Sequence, residues 1–240
     1  LGNVIDRARR AGYLDWNYIV DRTRNLMGFA TYDSPADLIA EQEYRFHRDL
    51  WESQDYRIEV WVEKEALAGV IGRASRSYAC DYFSCRGYVS QSEMHTAAKR
   101  HQRYERQGQD VVVLHLGDHD PSGIDMSRDI QDRLSFFGAN TVVERIALNM
   151  DQVEEYGPPP NPAKLTDSRV EEYIARYGEE GWELDALDPA TLNALINEHI
   201  ERYLNPSLYQ DALNEESRGR DLLRGVSENW DAVADLVASL

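Results

Sequence analysis

Apolar spacing divides this chain into strands and helices before any chemistry is considered. From Arg57, the β-branched residues Ile58, Val60 and Val62 alternate and stop at Glu63, after which Lys64-Glu-Ala-Leu-Ala-Gly-Val-Ile71 resumes helical character. A second short strand is predicted near Ala79 to Ser84. Beyond Arg86-Gly87, Ser90 or Ser92 caps a polar helix running to about Gln107. Val111 to Leu116 is a continuous apolar run, read as a buried third strand, and its helix spans about Ser122 to Phe137. A fourth run, Thr141 to Leu148, completes the series. Strands separated by helices predict an α/β fold: a four-stranded, mainly parallel sheet with right-handed crossovers, flanked by helices.

The flanks read as helical extensions. Ser34-Pro35 opens a helix to about Trp51, with Leu38, Ile39, Tyr44, Phe46 and Leu50 as its apolar positions. Tyr156-Gly-Pro-Pro-Pro-Asn-Pro162 holds four prolines in seven residues, which cannot continue a helix or a central strand. A second unit is expected beyond it. Asp188-Pro189 starts a helix with the stripe Leu192, Leu195, Ile196, Ile200 and Tyr203, and a last helix covers about Arg220 to Leu240. The expected division is a helical N-terminal segment over 1–54, a sheet domain over 55–156 and a helical C-terminal region over 163–240. Because the chain begins at Leu1 rather than Met and enters at once into a helical pattern, an upstream segment is expected to be missing.

Composition narrows the class. In 240 residues, 42% apolar content with 10% aromatics is ample for a packed core. No run approaches the ~18 apolar residues of a membrane span, and no leader pattern precedes a cleavage site, so a soluble, intracellular protein is expected. Cys80 and Cys85 are too few for a disulfide framework and show no zinc spacing; a reduced pair is expected. A net charge of -17 excludes a protein that grips nucleic acid by a broad basic surface. It does not exclude an enzyme whose basic contacts line one groove. Arg9, Arg10, Arg22 and Arg24 cluster near the start and are candidates for phosphate contact, or for pairing with Asp6, Asp15 and Asp21.

The candidate chemistry centres on Gly117-Asp-His-Asp-Pro-Ser-Gly123. While the backbone stays extended, Asp118 and Asp120 leave on the same side, close enough to hold one divalent cation. The alternative is that Asp120 simply caps a helix whose first residue is Pro121. Glu63 also falls at a strand end, where parallel sheets place their ligands, and it meets the aspartates if the first and third strands are neighbours. Three such acids repel one another, and a cation resolves the repulsion; oxygen-only ligands favour Mg2+ or Mn2+. Glu183 and Asp185 are a possible second metal pair or surface acids before a helix cap. Lys64 and Arg86 are possible DNA phosphate contacts; Lys164 and Arg169 are possible phosphate contacts or salt-bridge partners.

Three segments in order, Val62-Glu-Lys-Glu-Ala66, Arg86-Gly-Tyr88 and Gly117-Asp-His-Asp-Pro-Ser-Gly-Ile124, resemble the motifs of a Toprim domain. They look closest to the topoisomerase VI A subunit and its meiotic double-strand-break relatives. The resemblance covers about residues 55 to 150, and the flanks look like related Toprim proteins of phage and bacterial origin. It implies a Toprim-like sheet, magnesium bound by Glu63, Asp118 and Asp120, DNA as substrate, a homodimer, a possible ATPase partner subunit and a place in the cytoplasm or at the nucleoid. The chain departs from that family upstream: only a remnant of the length of the winged-helix domain carrying the cleaving tyrosine precedes Arg57. Tyr13, Tyr18 and Tyr32 sit in no equivalent motif and read as packing residues.

The leading expectation is therefore magnesium-dependent DNA cleavage by a Toprim nuclease or a topoisomerase VI A-like subunit. One alternative is a DNA- or partner-binding Toprim subunit whose cation only braces the sheet. The other is a haloacid-dehalogenase-like phosphatase using Asp118, although that family places its Asp-x-Asp after the first strand.

Overall fold

The four predicted strands form in the computed structural model, which describes residues 2–18, 28–162 and 169–240. They are β1 (Tyr56–Val62), β2 (Asp81–Ser84), β3 (Asp110–Leu116) and β4 (Val142–Ala147), joined in one sheet of order β2-β1-β3-β4 with every pairing parallel. β1 and β3 are neighbours in unbroken register, from Tyr56 beside Asp110 to Val62 beside Leu116. Residues 63 and 117 therefore leave the sheet at the same rim.

Helices follow each strand, as parallel connections require. A single 3-10 turn, Glu65–Leu67, leads into α3 (Ala68–Ser77); then come α4 (Gln91–Arg106), α5 (Pro121–Phe136) and α6 (Met150–Tyr156). Their starts are set by local hydrogen bonds. Ser90 Oγ accepts from the Glu93 N–H at 3.2 Å, and the Gln152 side chain accepts from the Asn149 N–H at 2.9 Å.

Both sheet faces are covered, so the period-2 alternation sorts apolar side chains between two cores. Ile58, Val60, Val62, Val112, Leu114 and Leu116 pack with Ile71 and Ala74 of α3 and with Leu192, Leu195, Ile196 and Ile200 of α8 (Pro189–Glu201). Trp61 and Val113 face Met94, Ala97 and Ala98 of α4 and Met126, Ile130 and Leu134 of α5. Each fully buried aliphatic side chain contributes about 1.5 to 3 kcal/mol.

The second face also carries a buried ionic cluster. Arg100 donates twice to Glu59, at 2.7 and 2.8 Å, and the Trp61 indole donates at 2.9 Å. His101 Nε2 lies 3.2 Å from the same carboxylate, while its Nδ1 is 2.8 Å from Thr141 Oγ1. Burial alone would push the Glu59 carboxyl up, but the hydrogen bonds from Arg100 and His101 outweigh it and hold the group well below the usual carboxylate range.

Several boundaries differ from the apolar pattern. α2 (Pro35–Arg45) stops short of Trp51, because Asp49 organises a turn: its carboxylate accepts from the Trp51 N–H at 3.0 Å. The last helix is two, α9 (Pro206–Glu228) and α10 (Trp230–Ala238), broken at Asn229. The residues beyond the proline-rich loop do not stand apart from the sheet: α8 closes one of its faces, and Trp182, Leu184 and Leu187 join the same core. The chain divides into two compact units, Phe46–Asp221, which contains the whole sheet, and Leu1–Arg45 with Leu222–Leu240. The latter contains α1 (Gly2–Arg10), α2, α10 and the end of α9, with Arg224 donating to Glu43 at 3.0 Å. Among the described residues, no helix is long and apolar enough to cross a membrane.

Candidate functional site

The adjacency of β1 and β3 brings the three predicted acids to one rim. The Glu63 N–H continues the ladder to Leu116 O at 2.9 Å, and Glu63 Oε2 accepts from the Asp118 N–H at 3.0 Å. Asp118 Oδ1 accepts from the Leu184 N–H at 2.8 Å, while its Oδ2 lies 3.3 Å from Lys64 Nζ. Asp120 caps α5: its Oδ1 accepts from the Gly123 N–H at 2.7 Å and from Ser122 Oγ at 2.8 Å. The cap role read as an alternative is therefore present. Asp118 and Asp120 also line one cavity of about 40 Å3, walled by Pro162, Trp182 and Glu183. That exceeds the ~15 Å3 a single water needs.

Two glycines allow this turn. A Cβ at Gly123 would stand 2.2 Å from Asp118 O, so the start of α5 approaches the Asp118 backbone as only glycine permits. A Cβ at Gly117 would meet Glu63 Oε2 at 3.0 Å and Arg145 Nη1 at 3.2 Å. Arg145, from β4, binds the turn from beneath. Its guanidinium donates to the carbonyls of Gly117 (2.9 Å), Asp118 (2.6 Å), Gly123 (2.8 Å) and Leu148 (3.0 Å). Burial pushes its pKa down to about 10, against the pull of the nearby acids.

The rim is electrostatically loaded. Burial, followed by the charges of Asp118 and Asp120, pushes the Glu63 carboxyl up to about 7, although the Asp118 N–H opposes the shift. Burial also raises Asp118, with the Leu184 N–H and Lys64 pulling it back. Burial lowers His119 to about 4 and His115 to about 3, so both rings are neutral near pH 7.

The donor chemistry fits a hard divalent ion: carboxylate oxygens only, mutually repelling, with Glu63 Oε1 accepting no hydrogen bond among the described residues. In the side-chain positions seen, Asp118 Oδ2 faces Lys64. Among the described residues, no group of three His, Cys, Asp or Glu side chains stands in metal-ligand geometry.

The other candidates are placed as follows. Glu183 and Asp185, read as a possible second metal pair, both face the Lys64 ammonium, Asp185 Oδ1 at 3.1 Å. Lys64 thus bridges the acid rim and the segment after β6 (Glu180–Gly181) rather than projecting as a lone phosphate contact. Arg86 pairs with Glu65. Arg169 lies 3.3 Å from Asp125. Arg9 donates to Trp16 O at 3.2 Å, and Arg10 pairs with Asp6 at 3.1 Å. Arg22, Arg24 and Lys164 lie outside the described residues. Tyr13 and Tyr18 are 88% and 80% exposed, so they are not packing residues as expected; Tyr32 binds Glu41. Cys80 and Cys85 are free and buried.

Sequence reasoning missed three contributors. Arg145 carried a signal, a charged residue inside the apolar run Thr141 to Leu148. The Leu184 N–H carried none, because a backbone donor has no identity in sequence. Nor did Trp182, whose N–H and carbonyl pair with His119 at 2.9 and 2.8 Å and close the rim, helped by the two-residue pairing of β5 (Asn161–Pro162) with β6. Compared with protein-family models, with curated proteins and with solved structures, the chain matches none, so any functional assignment rests on these residues.

Proposed function

We propose that this protein cleaves DNA phosphodiester bonds with a magnesium or manganese ion held by Glu63, Asp118 and Asp120, as a Toprim-type nuclease or a topoisomerase VI A-like cleavage subunit. The observation that carries the reading is the Glu63 carboxylate bonded to the Asp118 backbone at the shared rim of β1 and β3, with Asp120 on the same turn. A bound divalent ion supplies charge neutralisation to the phosphate and its leaving oxygen. The chain's own groups supply the rest. Before the ion binds, burial holds the Glu63 carboxyl up at about 7, so taking the ion at neutral pH releases a proton there. Arg145 fixes the carbonyls of the turn, and Lys64 balances Asp118. By the same resemblance the chain acts as a homodimer, with an ATPase subunit as a possible partner.

The test is nicking of supercoiled plasmid with magnesium or manganese, comparing the wild type with Glu63→Gln and Asp118→Asn. Metal-dependent nicking lost in both variants supports the reading. DNA binding without nicking under either ion, in protein that includes any upstream segment, overturns it.

A second reading, a cation that only braces the rim, draws on the use of Asp118 and Asp120 oxygens by the Leu184 and Gly123 N–H groups. Magnesium would then raise the melting temperature without any cleavage.

A further inference from the structure

Beside the acid rim, a cleft of about 210 Å3 opens between the first two turns of α5 and the length of α7 (Val170–Tyr177). In a chain of net charge -17, its walls carry Arg128, Arg169 and Arg176 against the carboxylates of Asp125 and Glu172. Asp125 organises two of the three. Arg128 Nε donates to it at 2.8 Å while its Nη1 pairs with Asp132, and Arg169 Nη1 lies 3.3 Å from Asp125. Tyr88 donates its hydroxyl to the same carboxylate at 2.8 Å and offers its ring to Arg169, 5.3 Å from guanidinium to centroid. The turn that presents Tyr88 holds Arg86 and Gly87 at φ +54° and +85°.

Arg176 differs from the other two. It lies over the Tyr177 ring at 5.1 Å and has no carboxylate in ion-pair reach among the described residues. The floor of the cleft is Tyr173, whose hydroxyl is 2.8 Å from His119 Nδ1 and 2.9 Å from His119 O. His119 stands between Asp118 and Asp120, so the cleft and the rim share one wall.

Guanidinium forks take phosphate oxygens, and aromatic rings beside them stack a base. We infer that this cleft holds one nucleotide of a single-stranded DNA segment next to the acid rim, its phosphate on Arg176 and, in place of Asp132, on Arg128, and its base against Tyr177. The inference rests on the proposed DNA-cleaving function and gives that site a place to hold the strand.

The experiment measures anisotropy of a labelled single-stranded oligonucleotide with the full chain in EDTA, over a salt series. Arg128→Ala and Arg176→Ala each weaken binding about tenfold and lower the log-log salt slope by about 0.7. Arg103→Ala, near Gln109 at the opposite rim, leaves both unchanged. Thermal melting confirms the fold, and Arg176→Lys, retaining charge without the fork, gives an intermediate loss. Equal binding by all variants, equal loss in Arg103→Ala, or no binding by the wild type overturns the inference. The two claims fail separately. If Arg176→Ala loses binding but the wild type never nicks plasmid, cleavage falls and the cleft stands; if the wild type nicks but Arg176→Ala binds normally, only the cleft falls.

Discussion

The Asp118 backbone N–H donates to the Glu63 carboxylate at 3.0 Å, joining two strand ends separated by 55 positions of sequence. Glu63→Gln keeps a carbonyl oxygen in that place, so the bond survives and only the charge is lost. Glu63→Ala leaves the N–H without its acceptor and costs about 1 to 3 kcal/mol. Urea unfolding is expected to separate the two variants, while plasmid nicking falls by about 10²-fold or more in both.

Asp120 offers a way to separate a helix cap from a metal ligand. Asn caps as well as Asp, whereas Ala forfeits about 1 kcal/mol. Asp120→Asn is therefore expected to melt close to the wild type and Asp120→Ala below it. Both lose metal-dependent nicking. A nicking-competent Asp120→Asn would reduce the residue to its cap.

The pH dependence of stability follows from Glu63. Its folded pKa, about 7, stands above the ordinary 4.5, so the fold favours the protonated form. The stability contributed is complete below the ordinary value and is lost as pH rises through about 7. Relative to the wild type, Glu63→Gln gains stability over roughly pH 5 to 8, read as a shift in the urea midpoint. Magnesium reverses the trend in the wild type, because it favours the ionised form, and has little effect on the variant.

Gly123→Ala tests the close approach at the start of α5. Its Cβ would lie 2.2 Å from Asp118 O, a backbone atom that cannot swing aside. A loss of about 3 kcal/mol is expected from the forced shift, measured by denaturant midpoint.

Glu59→Gln tests the cluster on the opposite face. Removing one charge of a buried pair costs about 3 to 5 kcal/mol, since Arg100 is left without its anion. Because the Glu59 pKa is depressed, its contribution is present above the usual carboxylate range and is lost as pH falls below it. The variant should accordingly lose less stability in acid than the wild type.

The sheet and the shared rim were legible because two simple signals agreed. β-branched alternation ending in Glu63 and an apolar run ending in Asp118 each marked a strand, and parallel strands deliver their ends to one side. What covers the rim was not legible. The stripe on α8 announces a buried face but does not say which sheet it covers, and the prolines before it suggested a boundary where the chain in fact turns back. Lys64 read as a phosphate contact, because its ion-pair partners Glu183 and Asp185 are brought near only by the pairing of His119 with Trp182. The end of α2 was misplaced because a turn held by Asp49 overrode the apolar spacing.

Closure of one sheet face by α8 has a consequence for how the protein is made. When residue 150 leaves the ribosome, all four strands exist, yet Ile58, Val60, Leu114 and Leu116 still lack the cover of Leu192, Ile196 and Ile200. Asp118 still lacks the Leu184 N–H. The nascent sheet thus has only α3 on that side until about fifty more residues emerge, a window of several seconds. Fragments cut at the proline-rich loop should stay in that half-dressed state and aggregate through the uncovered face.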